Sequence, residues 1–215
     1  MATPLLDNRQ LGPDVPRANL LVNGGFEIWQ RTTGTVNTLQ GMAADLWRIA
    51  FIASGDSVVM QQETSVVDSG SACLKIGYSK STGGSTIQQK LEPGLVKQLR
   101  GKTISLSMRM RNENANGIQA AIYNDVTGWT IAPFLSQTLT WLTSTVTLAV
   151  PANAASIEIG IHLQNNCTAY LDNAMLVVGS QPADYVPMHP ADDLARCLRY
   201  YEKIGDGWGN ITINQ

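Results

Sequence analysis

Two histidines, three cysteines and a scatter of carboxylates are the main material for catalysis in this 215-residue chain. His162 lies within a strand-like stretch, whereas His189 directly precedes Pro190 at a helix start. The two share no Cys/His or His/Asp spacing of a metal site or a catalytic triad. His189 therefore reads as a capping or surface residue. Cys73, Cys167 and Cys197 are odd in number, far apart and without a C-x-x-C pair, so they are expected as reduced, mostly buried thiols. Glu63, Glu92, Glu113, Asp125 and Glu158 are scattered, and nothing sets two of them at a glycosidase separation. Gly24-Gly25 and Gly83-Gly84 belong to turns, because no phosphate-loop or dinucleotide fingerprint surrounds them. The expectation is a protein that is no enzyme, with no catalytic residue.

Binding chemistry is better represented. A sugar site needs an exposed aromatic face flanked by polar groups. Trp129 stands in Asn124-Asp-Val-Thr-Gly-Trp-Thr, which reads as a Gly-containing loop after a strand ending at Tyr123. Tyr123, Asn124, Asp125 and Trp129 are thus candidates for carbohydrate binding, or equally for a subunit contact, since Trp and Tyr anchor interfaces. Trp29, Trp47 and Trp141 fall in strand patterns at positions that read as core.

The elements that must position these residues read as strands. From Asn19 onward, short β-branched and aromatic segments are separated by Gly, Asn, Asp, Ser and Pro clusters. Expected strands are 20–22 with 26–29, 46–52, 57–63, 72–78, 85–90, 103–110, 117–123, 139–150, 156–163 and 169–178. In 103–110 the apolar residues Ile104, Leu106, Met108 and Met110 share one face, and in 156–163 Ile157, Ile159, Ile161 and Leu163 do the same. One apolar and one polar face per strand is the mark of an antiparallel sandwich. The predicted class is all-β, a two-sheet antiparallel jelly roll over 19–180.

Composition fits a folded chain. It is 44% hydrophobic and 15% charged, and 15 basic against 17 acidic side chains give a formal charge of −2, which offers nothing to a polyanion. No apolar run approaches the ~20 residues that span a bilayer and no signal sequence opens the chain, so neither nucleic acid nor membrane is an expected partner and cytoplasmic synthesis is expected. Residues 1–18, with Pro4, Pro13 and Pro16, read as an extended N-terminal arm. Residues 181–215 read as a linker, an amphipathic helix over 190–204 and a terminal strand near Ile211. Pro190 suits the helix start, Asp192 and Asp193 its positive end and Gly205 its stop. Leu194, Cys197, Leu198, Tyr201 and Ile204 form its apolar stripe, which must bury against its own sandwich or a neighbouring subunit.

Three blocks carry a resemblance. Asn19-Leu-Leu-Val-Asn-Gly-Gly-Phe-Glu-Ile-Trp-Gln-Arg resembles the opening strand that tailed-phage virion proteins share with jelly-roll carbohydrate-binding modules. Ala44-Asp-Leu-Trp-Arg resembles their following Ala-Asp-Arg-Trp block, with Leu46 in place of the usual Arg. Tyr170-Leu-Asp-Asn-Ala-Met-Leu-Val-Val-Gly, Ala183-Asp-Tyr-Val-Pro and Asp192-Asp-Leu-Ala-Arg-Cys-Leu-Arg-Tyr-Tyr resemble the final strand, linker and helix. The resemblance implies a non-enzymatic component of a bacteriophage virion, of tail-fibre, receptor-binding or capsid-decoration type. It also implies other virion proteins as partners and a homo-oligomer, with a trimer favoured. The alternative it leaves open is a lectin module for a bacterial surface polysaccharide on the host. Related modules carry a structural calcium, for which Glu27 and Asp172 stand at the matching acidic positions; without it, both carboxylates would serve turn backbone.

Overall fold

The computed structural model describes residues 18–114, 117–135 and 138–201. Within them run β1 (Arg48–Phe51), β2 (Ser57–Glu63), β3 (Cys73–Ser79), β4 (Ser85–Lys90), α1 (Pro93–Leu99), β5 (Thr103–Asn112), β6 (Ile118–Asn124), β7 (Gly128–Ile131), β8 (Thr138–Ala149), β9 (Ile157–Leu163), β10 (Cys167–Val178) and α2 (Pro190–Leu198). Two five-stranded sheets, β1-β4-β9-β6-β7 and β2-β3-β10-β5-β8, have every neighbouring pair antiparallel. The predicted all-β jelly-roll sandwich is what forms. Period-2 alternation decides the faces: Ile157, Ile159, Ile161 and Leu163 of β9 and Ile104, Leu106, Met108 and Met110 of β5 are fully buried in one core between the sheets.

Two elements escape the sequence pattern. The α1 helix has only seven residues, too few for a periodic signal, and is held by buried Val96 and Leu99. Strand β7 was expected as loop; it is the second arm of a hairpin in which Tyr123 faces Trp129, with Gly128 at φ 78°.

Conversely, the strand expected at 20–22 with 26–29 is not a regular strand. Asn23 and Phe26 adopt left-handed φ values of 52° and 55°, which break any extended run. The segment instead lies along β10. Leu20 N–H donates to Leu176 O at 2.9 Å, Ala174 N–H donates to Gly24 O at 2.7 Å, and the Asn19 side chain both donates to Ala174 O and accepts from Leu176 N–H. A Cβ on Gly24 would run into the Ala174 carbonyl, so glycine is required at this close approach.

Asn23 is the knot that ties this end of the sandwich. Its side-chain amide donates to Ile28 O (2.9 Å) and Asp45 O (3.3 Å), its Oδ1 accepts from Ile28 N–H (3.0 Å), and its carbonyl accepts from the fully buried Trp47 indole (3.1 Å). Its own N–H donates to Asp193 of α2 at 3.0 Å. The three sequence blocks, far apart in the chain, meet here.

Candidate functional site

The outer face of the β1-β4-β9-β6-β7 sheet carries a cleft of about 450 Å³. Register sets its rows. One row runs Arg48–Gln88–Gly160–Ala121; its neighbours run Thr86–His162–Gln119 and Lys90–Glu158–Tyr123–Trp129. Gly160 leaves the middle of the floor without a side chain, and a Cβ there would strike the Ile87 carbonyl of β4. The rim on the β7 side is aromatic: Trp129, 36% exposed, packs at 5.1 Å from the Tyr123 ring and 5.4 Å from the His162 ring. On the β1 side stand Phe51, 54% exposed, and Arg48, which reaches Glu158 at 3.4 Å and also donates to Gln40.

Burial pushes the His162 imidazole below its usual range, so at neutral pH it is uncharged and can both donate and accept. It lies on the polar face of its strand, as its alternation requires, and its ring meets the Gln164 amide. The cleft thus offers a ring-stacking platform at one end and hydrogen-bonding side chains across the floor. Among the described residues, no group of three or more His, Cys, Asp or Glu could hold a metal ion.

Of the four residues the sequence singles out, the structure brings Tyr123 and Trp129 together on this face. Asn124 and Asp125 act elsewhere. Asn124 is buried, and its side chain closes the β6–β7 turn by accepting from Val126 and Thr127 N–H and donating to Thr127 Oγ1 and Gly128 O. Asp125 accepts from Ser156 and Ala155 N–H at 3.0 and 2.9 Å, which pin the loop before β9 and lower its pKa. Arg48, Thr86, Gln88, Glu158 and His162 were missed as a set, since only pairing register brings their three strands into one floor. The alternation of β9 did put Glu158, Gly160 and His162 on its outward face.

Trp47 is fully buried and Trp29 is partly buried against the core. Trp141 departs from the core expectation. It shares the outer face of the opposite sheet with Tyr170, ring to ring at 6.4 Å, because β8 alternates so that Val146 and Leu148 take the inner positions.

Glu27 and Asp172 converge on one turn. Asp172 Oδ2 accepts from Asp68 and Ser69 N–H at 3.0 and 3.2 Å and its Oδ1 from Asn173 N–H at 2.8 Å, while Glu27 accepts from Ser71 N–H at 2.8 Å and from the Ser71 hydroxyl. Burial pushes the Asp172 carboxyl up to about 7 in spite of those N–H donors. Arg109 holds the same turn through a bidentate pair with Asp68, both contacts at 2.8 Å. As they lie, both carboxylates are occupied by turn donors.

Helix α2 packs on its own sandwich, but not by the expected stripe. Asp193 and Cys197 are its buried residues, whereas Leu194 and Leu198 are each 37% exposed. The physical reason is the Asn23 N–H, which draws Asp193 inward and rotates the leucines out. Tyr201 carries the Arg31 guanidinium 3.9 Å above its ring, and Arg196 donates to Asn19 O. His189 caps the helix, its Nδ1 accepting from Ala191 N–H. Cys73, Cys167 and Cys197 are all buried and unpaired, and burial raises each thiol pKa. Ile204, the terminal strand and the arm before Ala18 lie outside the described residues.

No family model and no curated protein matches the chain. Solved structures do. A protein from Bacteroides thetaiotaomicron put forward as sugar-binding is 13% identical over 75% of this chain and 100% of its own, with a TM-score of 0.52. The tandem CBM22-1–CBM22-2 domains of Paenibacillus barcinonensis Xyn10C are 11% identical over 81% of this chain and 48% of theirs, with a TM-score of 0.51. The enzymatically active domain of bacteriophage CBA120 tailspike protein 4 matches over 75% of this chain and 21% of its own at 14% identity, with a TM-score of 0.48. At these identities the likeness concerns the fold, a jelly roll of the carbohydrate-binding-module type.

Proposed function

We propose that this chain is a non-catalytic glycan-binding module that takes a saccharide on the outer face of the β1-β4-β9-β6-β7 sheet. The observation that carries the reading is the pairing of a part-exposed tryptophan with a polar floor. Trp129 offers a face for the apolar side of a pyranose, while His162, Gln88, Thr86, Arg48 and Glu158 can exchange hydrogen bonds with its hydroxyls. From β1 to β7 the sheet spans four strand spacings, ~19 Å, so the cleft has room for several sugar rings in a row.

The place of such a module on a phage particle, as docking, fibre or decoration component, is supported by the three resembling sequence blocks. The outward Leu194 and Leu198 of α2 add an apolar surface for a neighbouring virion protein. On this reading the lectin role, the weaker expectation from sequence, becomes the leading one, and the host polysaccharide is the ligand class. Printed arrays of bacterial surface polysaccharides test it. Wild type should bind one class of glycan and Trp129→Ala, with an unchanged circular-dichroism spectrum, should not. A wild-type protein that binds none sinks the reading.

A further inference from the structure

A sandwich of two open sheets has four edges, and three of these are blunted. The segment 33–42 covers β1 and β2 together: Val36 and Met60 exchange both backbone hydrogen bonds at 2.8 Å, Gln40 N–H donates to Ile49 O at 2.8 Å, and Ile49 N–H donates to Gly41 O at 3.0 Å. Strand β7 has only four residues. The fourth edge is different. Strand β8 is 12 residues long, terminal in its sheet and, among the described residues, paired with β5 alone.

Natural edge strands are usually protected by Lys, Pro, brevity or a bulge. The sequence of β8, Thr-Leu-Thr-Trp-Leu-Thr-Ser-Thr-Val-Thr-Leu-Ala, holds no charge and no proline. Its one irregularity lies before Leu142, which leaves 142–149 as a straight ladder against β5. Leu142 is 39% exposed at the start of that ladder.

We infer that the outer edge of β8 over residues 142–149 is the interface for a second copy of this chain, paired antiparallel about a two-fold axis. A register centred on Thr145 fits the sequence to itself. Such an axis perpendicular to the sheet requires facing residues to lie on the same face, so paired numbers sum to an even value. Centring on Thr145 sets Thr145 against Thr145 and Thr143 against Thr147 on the outer face. On the inner face it sets Leu142 against Leu148, which covers the exposed leucine. With no charge in β8, no like charges oppose each other, and threonine and leucine pairs are favourable cross-strand neighbours. The two sheets become one of ten strands. The saccharide cleft lies on the other sheet and stays open, so this interface is independent of the glycan reading.

Sedimentation equilibrium of the full chain tests the inference. The wild type should run at twice the 23.2 kDa of one chain. Thr145→Lys, which puts two ammonium groups face to face, should return it to the single-chain mass, and so should Thr145→Glu. An equimolar mixture of the two variants should restore the double mass, since opposite charges then face each other; this recovery also shows that both variants are folded. Single-chain mass for wild type at ~100 μM, far above the Kd of a stable interface, overturns the inference. So does a trimer, or a dimer indifferent to both substitutions.

Discussion

Replacing Asn23 measures how much of the fold depends on the knot between the three sequence blocks. Its side chain makes three hydrogen bonds, two donated to Ile28 O and Asp45 O and one accepted from Ile28 N–H. At a net value of about 1 kcal/mol each, their loss costs about 3 kcal/mol. Asn23 also sits at φ 52°, where any Cβ bears a strain of up to about 2 kcal/mol; alanine keeps that strain and glycine removes it. Asn23→Ala should therefore lose about 3 kcal/mol, or roughly 6 to 12 °C of melting temperature for a chain of this size. Asn23→Gly loses the same hydrogen bonds without the strain. Glycine's extra chain entropy in the unfolded state costs up to about 1 kcal/mol, so the two variants should differ by about 1 kcal/mol in glycine's favour. Urea unfolding followed by tryptophan fluorescence and far-UV circular dichroism reads both quantities. A loss below about 1 kcal/mol for Asn23→Ala, or a glycine variant no better than alanine, would refute the reasoning.

Asp56 supplies a pH dependence. Although desolvation acts to raise its pKa, the Tyr78 hydroxyl and the N–H groups of Ser81 and Thr82 hold the carboxyl at about 2, below its ordinary 3.8. Its stabilisation is therefore complete above about pH 4 and is lost as pH falls through 2; Asp56→Asn should lower the melting temperature at pH 7 and flatten the profile between pH 4 and 2. Asp172 has the opposite sign: with its pKa raised to about 7, its contribution falls as pH rises from about 4 to 7. Chelator-treated protein should thus melt higher at pH 5 than at pH 7, a range over which Asp56 contributes equally, and added calcium should change nothing at pH 7, because turn donors occupy both carboxylates; a calcium-dependent rise of several degrees would place a cation between Glu27 and Asp172. On α2, Cys197→Ser should destabilise by about 1 to 3 kcal/mol in thermal melts, since it buries an added hydroxyl, whereas Leu194→Ser and Leu198→Ser should each stay within about 0.5 kcal/mol.

The strands whose residues alternate were legible in the sequence. Strands β2 and β4 fall on their expected boundaries, and β5, β6, β8, β9 and β10 lie within two residues of theirs. Alternation reports which face of a strand is buried, and that is enough to define a sandwich. What it cannot report is which strand lies beside which. The cleft floor is a product of register, since Thr86, His162 and Glu158 share no local motif. Trp141 illustrates the same limit: a tryptophan in a strand has two faces to choose from, and β8 gives the inner one to Val146 and Leu148. The Asn-Gly-Gly-Phe block was recognisable as a motif but read as a strand, because left-handed Asn23 is held not only by nearby Ile28 but by Asp45, Trp47 and Asp193, 22 to 170 positions away. Helix α2 was found from its proline and its periodicity, yet its buried face was misplaced because Asp193 was read as a partner of the helix dipole rather than of a buried N–H. The β7 hairpin did leave a trace, a short Gly-containing turn between two strand-forming runs.

The most direct test of the glycan site is a calorimetric titration with a polysaccharide fragment that the wild type captures on an array. With Trp129→Ala the Kd should rise at least tenfold, a loss of about 1.4 kcal/mol, while Trp129→Phe retains part of the affinity and the melting temperature of both variants stays near wild type. An unchanged Kd for Trp129→Ala in a folded protein would contradict the placement of the site on this face.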